Sequence, residues 1–180
     1  LVWSPDGGGL AFASRRGAKA GDLFWKRADG RGDVQLLSES ASTRFVRSWH
    51  PSGRYLAVTE MTSATRSELM ILPVESDSAS GFRSGRATSF AGGFAGGFVG
   101  GAAFSPDGRW LAYFSTETGR SEIYVRPFPA AAGQWQVSSD GGSCPIWSPN
   151  GRELFYQAPD SHLMAASYSA QDGSFHVGTR

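Results

Sequence analysis

Apolar residues along this chain fall into short runs separated by clusters of Gly, Pro, Asp, Asn and Ser. No segment keeps apolar residues at i, i+3, i+4 and i+7 between capping residues, so helices are expected to be scarce. The runs are rich in aromatic and branched side chains, as Leu23-Phe-Trp25, Leu69-Met-Ile-Leu72 and Ile123-Tyr-Val125 illustrate. That composition predicts strands. The pattern as a whole predicts an all-β protein of short strands and tight turns.

The pattern also repeats. Four segments align without gaps: Trp3-Ser-Pro-Asp-Gly-Gly-Gly-Leu-Ala-Phe12, Trp49-His-Pro-Ser-Gly-Arg-Tyr-Leu-Ala-Val58, Phe104-Ser-Pro-Asp-Gly-Arg-Trp-Leu-Ala-Tyr113 and Trp147-Ser-Pro-Asn-Gly-Arg-Glu-Leu-Phe-Tyr156. Their leading aromatics lie 46, 55 and 43 residues apart. Propeller blades recur at roughly 40–50 residues, so the long middle interval implies an insertion. It falls in the Ser-, Gly- and Ala-rich stretch 76–101.

Each segment reads as the corner of a hairpin. Pro presets φ for the first turn position, and Asp6, Asp107 and Asn150 can accept a backbone N–H two residues on. Ser52 does so more weakly. The following Gly accepts positive φ. A strand ends on the aromatic and another begins at Leu-Ala. Further runs follow at similar offsets: 22–27, 68–73, 122–127 and 162–167 as third strands, then 34–37, 87–91, 135–137 and 175–177 as fourth strands. Residues 44–48 and 144–146 supply first strands. Four antiparallel strands per unit make a propeller blade, with blades at about 1–40, 41–92, 99–138 and 143–180 of a single fragment. A β-sandwich does not need one corner sequence at this interval; a radial array, which packs like face on like face, does.

Composition narrows the picture further. The chain has 180 residues, 40% of them hydrophobic and 18% charged, with a net charge of +1. That balance offers no basic surface for nucleic acid, and Arg15, Arg16 and Lys19 read as a solvated loop. One cysteine excludes an intramolecular disulfide or a multi-Cys zinc site. No run approaches the ~18 apolar residues of a spanning helix, and no signal-peptide pattern is present. Because the chain opens at Leu1 directly on a motif, it is read as part of a longer protein.

The unit Trp/Phe-Ser-Pro-Asp-Gly-Arg-x-Leu-Ala-Tyr/Phe resembles the WD40-like repeat of TolB-type propellers, through all four copies. The second copy departs at His50 and Ser52, the first at Gly8 and Gly9, the fourth at Phe155. The closing stretch Ser138–Tyr156, with Phe175–Gly178, is similar to propellers attached to bacterial serine/threonine protein kinases. The resemblance implies a six- or seven-bladed parent, hence an incomplete ring whose missing blades are partners of this chain, and an extracytoplasmic or periplasmic setting. Alone, such a fragment is expected to be marginal or prone to aggregate.

Catalytic and metal chemistry find no support in these residues. Gly119-Arg-Ser-Glu-Ile123 and Gly141-Gly-Ser-Cys-Pro145 lack the closing Gly of a nucleophile elbow, and kinase and P-loop motifs are missing. His50, His162 and His176 share no ligand spacing and read as structural or solvent-facing. The corner carboxylates read as turn formers, since calcium needs six to eight converging oxygens. Arg31-Gly-Asp33 is an adhesion tripeptide in spelling but a hairpin turn in context. Phe90, Phe94 and Phe98 read as part of a flexible loop, with docking on a partner as the functional alternative. Cys144, preceding the fourth corner, reads as a buried inert thiol. A binding surface is expected at the channel mouth, where Arg47 and Ser143 are the best-placed polar groups.

No cofactor, metal or catalytic residue is assigned. The sequence points to a non-catalytic module that binds a protein or small ligand, a sensor or scaffold of a larger protein. The alternative is the substrate-gating propeller of a prolyl-oligopeptidase-type serine peptidase whose catalytic domain lies elsewhere. A propeller enzyme working from its own channel ranks below both.

Overall fold

The computed structural model describes residues 1–14, 21–77, 81–92, 97–129, 133–171 and 174–178. Among these there is no helix, and the strands form four antiparallel sheets. Blade I holds β1 (Val2–Trp3), β2 (Gly9–Ala13), β3 (Leu23–Arg27) and β4 (Gln35–Ser38). Blade II holds β5 (Arg44–Trp49), β6 (Tyr55–Ser63), β7 (Arg66–Asp77), β8 (Gly81–Ser84) and β9 (Thr88–Ala91). Blade III holds β10 (Val99–Phe104), β11 (Trp110–Ser115), β12 (Glu122–Pro127) and β13 (Trp135–Gln136). Blade IV holds β14 (Ser143–Trp147), β15 (Glu153–Gln157), β16 (Leu163–Gln171) and β17 (Ser174–Val177).

The four corners are built alike. In the third, Gly108 N donates to Ser105 O at 2.9 Å and Arg109 N to Asp107 Oδ1 at 3.1 Å. The Ser hydroxyl, which sequence reasoning left without a role, completes the corner. Ser105 is buried; its Oγ donates to Asp107 Oδ1 at 2.6 Å and accepts from Trp110 N at 3.0 Å. Ser4 and Ser148 repeat the bond to Asp6 and Asn150, both at 2.6 Å. In the second copy His50 takes over: its Nδ1 accepts from Ser52 N at 3.0 Å while Nε2 donates to Gly108 O of the next blade at 3.0 Å. Its ring also meets Tyr55, Phe104 and Phe128, which makes it part of the packing between blades II and III. The corner glycines take φ between 67° and 73°.

These corners titrate. The Ser4 hydrogen bond, helped by Gly8 N–H, holds the Asp6 carboxyl below its ordinary value of 3.8. Burial pushes Asp107 up, but hydrogen bonds from Ser105 and Arg109 outweigh it and leave the group lowered. A depressed folded pKa contributes stability above the unfolded value and loses it as pH falls through the folded one. The chain is therefore expected to lose stability below about pH 4. The Asp6→Asn, Asp107→Asn double variant, which copies the natural Asn150, should lose less between pH 5 and about pH 2.5 in urea titrations. An equal loss in both proteins would remove the corner carboxylates as the cause.

Blades pack face on face through three apolar clusters. Ala11, Leu23 and Trp25 of blade I meet Trp49, Leu56 and Val58 of blade II. Ala57 and Ile71 of blade II meet Phe104, Leu111 and Tyr113 of blade III. Ala112, Ile123 and Val125 of blade III meet Trp147, Leu154 and Tyr156 of blade IV. The motif thus places an aromatic, a Leu and a third apolar residue against the preceding blade, and its small Ala against the following one. The array does not close. Trp3 is 57% exposed and Leu10 and Phe12 are half-buried, though their counterparts in the other blades are covered. At the far end Ile146 is 63% and Leu163 74% exposed. The architecture is an incomplete propeller with an uncovered apolar face at each end.

The insertion is not wholly a loop. β7 continues past the blade and pairs with β8 over Val74–Asp77, while β9 pairs with β7 further back as the fourth strand. Phe82 lies edge-on to Trp25 at 5.5 Å and to Trp49 at 5.1 Å, and Ser84 Oγ donates to Leu37 O at 2.5 Å. Thus β8 clamps blade I to blade II. Phe90 is half-buried, beneath the Arg126 guanidinium (5.3 Å), and Phe98 is half-buried too; Phe94 lies outside the described residues. Phe90 follows the fourth-strand reading of 87–91 and not the flexible-loop one, because the apolar residues of a Gly-rich segment still seek cover.

Candidate functional site: the inner wall

The first strand of each blade touches its neighbours in the adjacent blades, so β1, β5, β10 and β14 form the inner wall. Three of these strands break register with the next strand at the same place, two or three residues before the corner aromatic. The breaks lie between Val46 and Ser48, Gly100 and Ala103, and Ser143 and Ile146. A bulge leaves one residue unpaired and re-aims its side chain. At the third and fourth blades the residue concerned adopts positive φ, 58° at Gly101 and 52° at Cys144. A Cβ at Gly101 would come within 2.9 Å of the Phe114 ring, so glycine is required there.

The bulge corrects one expectation. Cys144 is exposed, not buried, because the left-handed backbone turns its thiol out of the alternation that a regular strand would impose. The local signal is Pro145, since proline inside a strand is confined to edges, strand starts and bulges.

Arg47 is the bulged residue of β5. It is half-buried; its Nε donates to Thr59 Oγ1 at 2.9 Å, and Cζ lies 5.2 Å from the centre of the Phe45 ring. Burial lowers the guanidinium's pKa from its ordinary value, and the neighbouring Cys144 thiol acts in the opposite sense. On the same wall Arg44 is neutralised by Glu60, Nε to Oε2 at 2.6 Å. A depression of about 390 Å³ opens beside them, bordered by Leu1, Thr43, Phe45 and Arg47. Ser143 borders a different one, of about 350 Å³, with Arg120, Gly142 and Pro159. The fold therefore brings Arg47 to Phe45 and Thr59, and puts Ser143 at the seam of blades III and IV.

That seam is held by an acid. Glu122 is 1% exposed; it accepts from Gly141 N at 3.1 Å, from Ser138 Oγ, and from Arg120 Nε at 2.5 Å. Asp22, at the same repeat position, accepts from Ser40 N at 3.2 Å. Both carboxylates tie the loop into the next blade to the third strand.

The remaining candidates stay apart. His162 is exposed and bonded to Asp160 at 2.8 Å, and His176 is exposed on β17. Arg31-Gly-Asp33 lies in the exposed β3–β4 turn, where Lys26 Nζ donates to Gly30 O at 3.0 Å and Arg31 O at 3.1 Å. Arg15, Arg16 and Lys19 lie outside the described residues. Among the described residues no group of three His, Cys, Asp or Glu side chains converges for a metal, and no helix is long and apolar enough to cross a membrane.

No family model matches the chain, and no curated protein matches it either. Solved structures do. A TolB protein of Agrobacterium tumefaciens is similar over 97% of this chain and 62% of its own, with TM-score 0.71 at 19% identity. A puromycin-hydrolyzing peptidase of Mycobacterium tuberculosis is similar over 97% of this chain and 30% of its own, with TM-score 0.64 at 16% identity. The Swd1 β-propeller domain of Myceliophteria thermophila is similar over 98% and 69%, with TM-score 0.53 at 11% identity. This chain spans less than two thirds of the TolB and peptidase chains. At these identities the likeness establishes the propeller fold.

Proposed function

We propose that this chain is a non-catalytic propeller segment that binds a small ligand or a protein segment on its inner wall, as a sensor or scaffold within a larger bacterial protein. The observation that supports the reading best is the trio of aligned bulges on β5, β10 and β14. Bulges interrupt ladder pairing, and they recur beside functional sites because they re-aim side chains. Further blades, packed on the Trp3 and Ile146 faces, are its structural partners.

A second reading has its own support in the likeness to a peptidase. Here the propeller filters substrate for a hydrolase domain outside these residues, and a Gly-x-Ser-x-Gly elbow elsewhere in the parent gene would mark it.

Selection of phage-displayed peptides against the chain tests the first reading. Selected peptides are expected to lose at least about tenfold in affinity on Phe45→Ala and to be indifferent to His176→Ala on the outer strand, as befits a localised anchor. Binding that follows His176 instead, or hydrolysis of the peptides by the chain itself, would overturn it.

A further inference from the structure

Arg47 is a half-buried charge that no carboxylate pairs among the described residues. Its one hydrogen bond among the described residues is the Nε donation to Thr59 Oγ1, which leaves the Nη donors free. The acid on the same wall, Glu60, is already held by Arg44 at 2.6 Å. A part-buried charge costs free energy until it is paired, and a planar guanidinium with an open fork matches a carboxylate in bidentate geometry. Beside the fork lies apolar surface: the Phe45 ring, 42% exposed, and Leu1 at the rim of the adjoining depression.

We propose that the inner wall at Arg47 binds the carboxylate of a small ligand whose apolar body rests on Phe45. The assignment rests on the reading of this wall as a binding surface and names the chemistry that the surface selects. The bulge supplies the means: an extra residue in β5 carries the guanidinium to the wall, and the bulge of β14 turns Cys144 out to solvent on the same wall.

The single cysteine, exposed on a first strand of the same wall, serves as the reporter. Its thiolate displaces iodide from iodoacetate or from neutral iodoacetamide, forming one S–C bond as the C–I bond breaks. The iodoacetate-to-iodoacetamide rate ratio is expected to be roughly fivefold higher in the unaltered chain than in Arg47→Gln, the factor that one charge pair at contact in water supplies. Hippurate, a glycine carboxylate with a benzoyl body, should slow iodoacetamide alkylation of the unaltered chain in a saturable way, and hippuramide should not. Equal rate ratios in the two proteins would overturn the proposal. So would equal protection by hippuramide, or protection by inorganic phosphate in place of hippurate. The hippurate arm needs no variant, so it holds even where Arg47→Gln fails to fold. Should selected peptides bind the wall while hippurate does not, the carboxylate assignment falls and the binding surface stands.

Discussion

Trp49→Ala and Trp147→Ala are each expected to lower stability by about 3–5 kcal/mol, the range for emptying a buried tryptophan site, while Trp3→Ala costs under about 1 kcal/mol. The three residues hold the same place in the repeat, so local propensity cannot distinguish them. What differs is cover: Trp49 is 7% and Trp147 6% exposed against the preceding blade, whereas Trp3 is 57% exposed. Trp147 also donates from Nε1 to Ala103 O at 2.8 Å, which places it at the upper end of the range. Urea unfolding followed by fluorescence measures all three. A loss at Trp3 as large as at Trp49 would mean that the first face is covered in solution. With the face open, Trp3→Glu should instead reduce self-association in light scattering, because exposed apolar patches drive aggregation.

Removal of the Glu122 carboxylate comes next in size. Glu122→Ala is expected to cost about 2–4 kcal/mol, since a charge-assisted acceptor is lost and buried donors are left unmet. Gly141 N–H and the Ser138 hydroxyl lose their partner inside the protein, while Arg120, 57% exposed, returns to water and contributes little. Glu122→Gln keeps an acceptor oxygen and should recover roughly half of the loss. Hydrogen exchange at Gly141 and Gly142 offers a local readout: these amides should exchange faster in Glu122→Ala before the rest of blade IV does. Uniform acceleration across all four blades would show that the carboxylate acts on the whole fold and not on the loop.

Much of the architecture is legible in the residues because the corner is local chemistry. Pro, Asx and Gly dictate a turn within five positions, and four copies dictate four blades. The Ser of the corner was legible in principle, since it stands before Pro in three copies, yet its role appears only when the buried hydroxyl is seen bridging Asp107 to Trp110. Phe82 is hidden by its surroundings, a Ser- and Gly-rich stretch from which it reaches its cover partly on another blade. The candidate site was legible only in part. Arg47 stands out as a polar residue on a first strand, but Cys144, read as buried because free cysteines usually are, is exposed at a bulge.

By itself, then, the chain of residues determines strands, corners and the identity of the packing faces, all of which depend on contacts a few positions apart or on the recurrence of one pattern. Tertiary structure decides which of those faces are covered, where the ladders slip, and which side chains from different blades meet at the wall. Those outcomes depend on neighbours far along the chain, as His50 and Gly108, 58 positions apart, are. A two-residue alternation carries no record of where it will be interrupted.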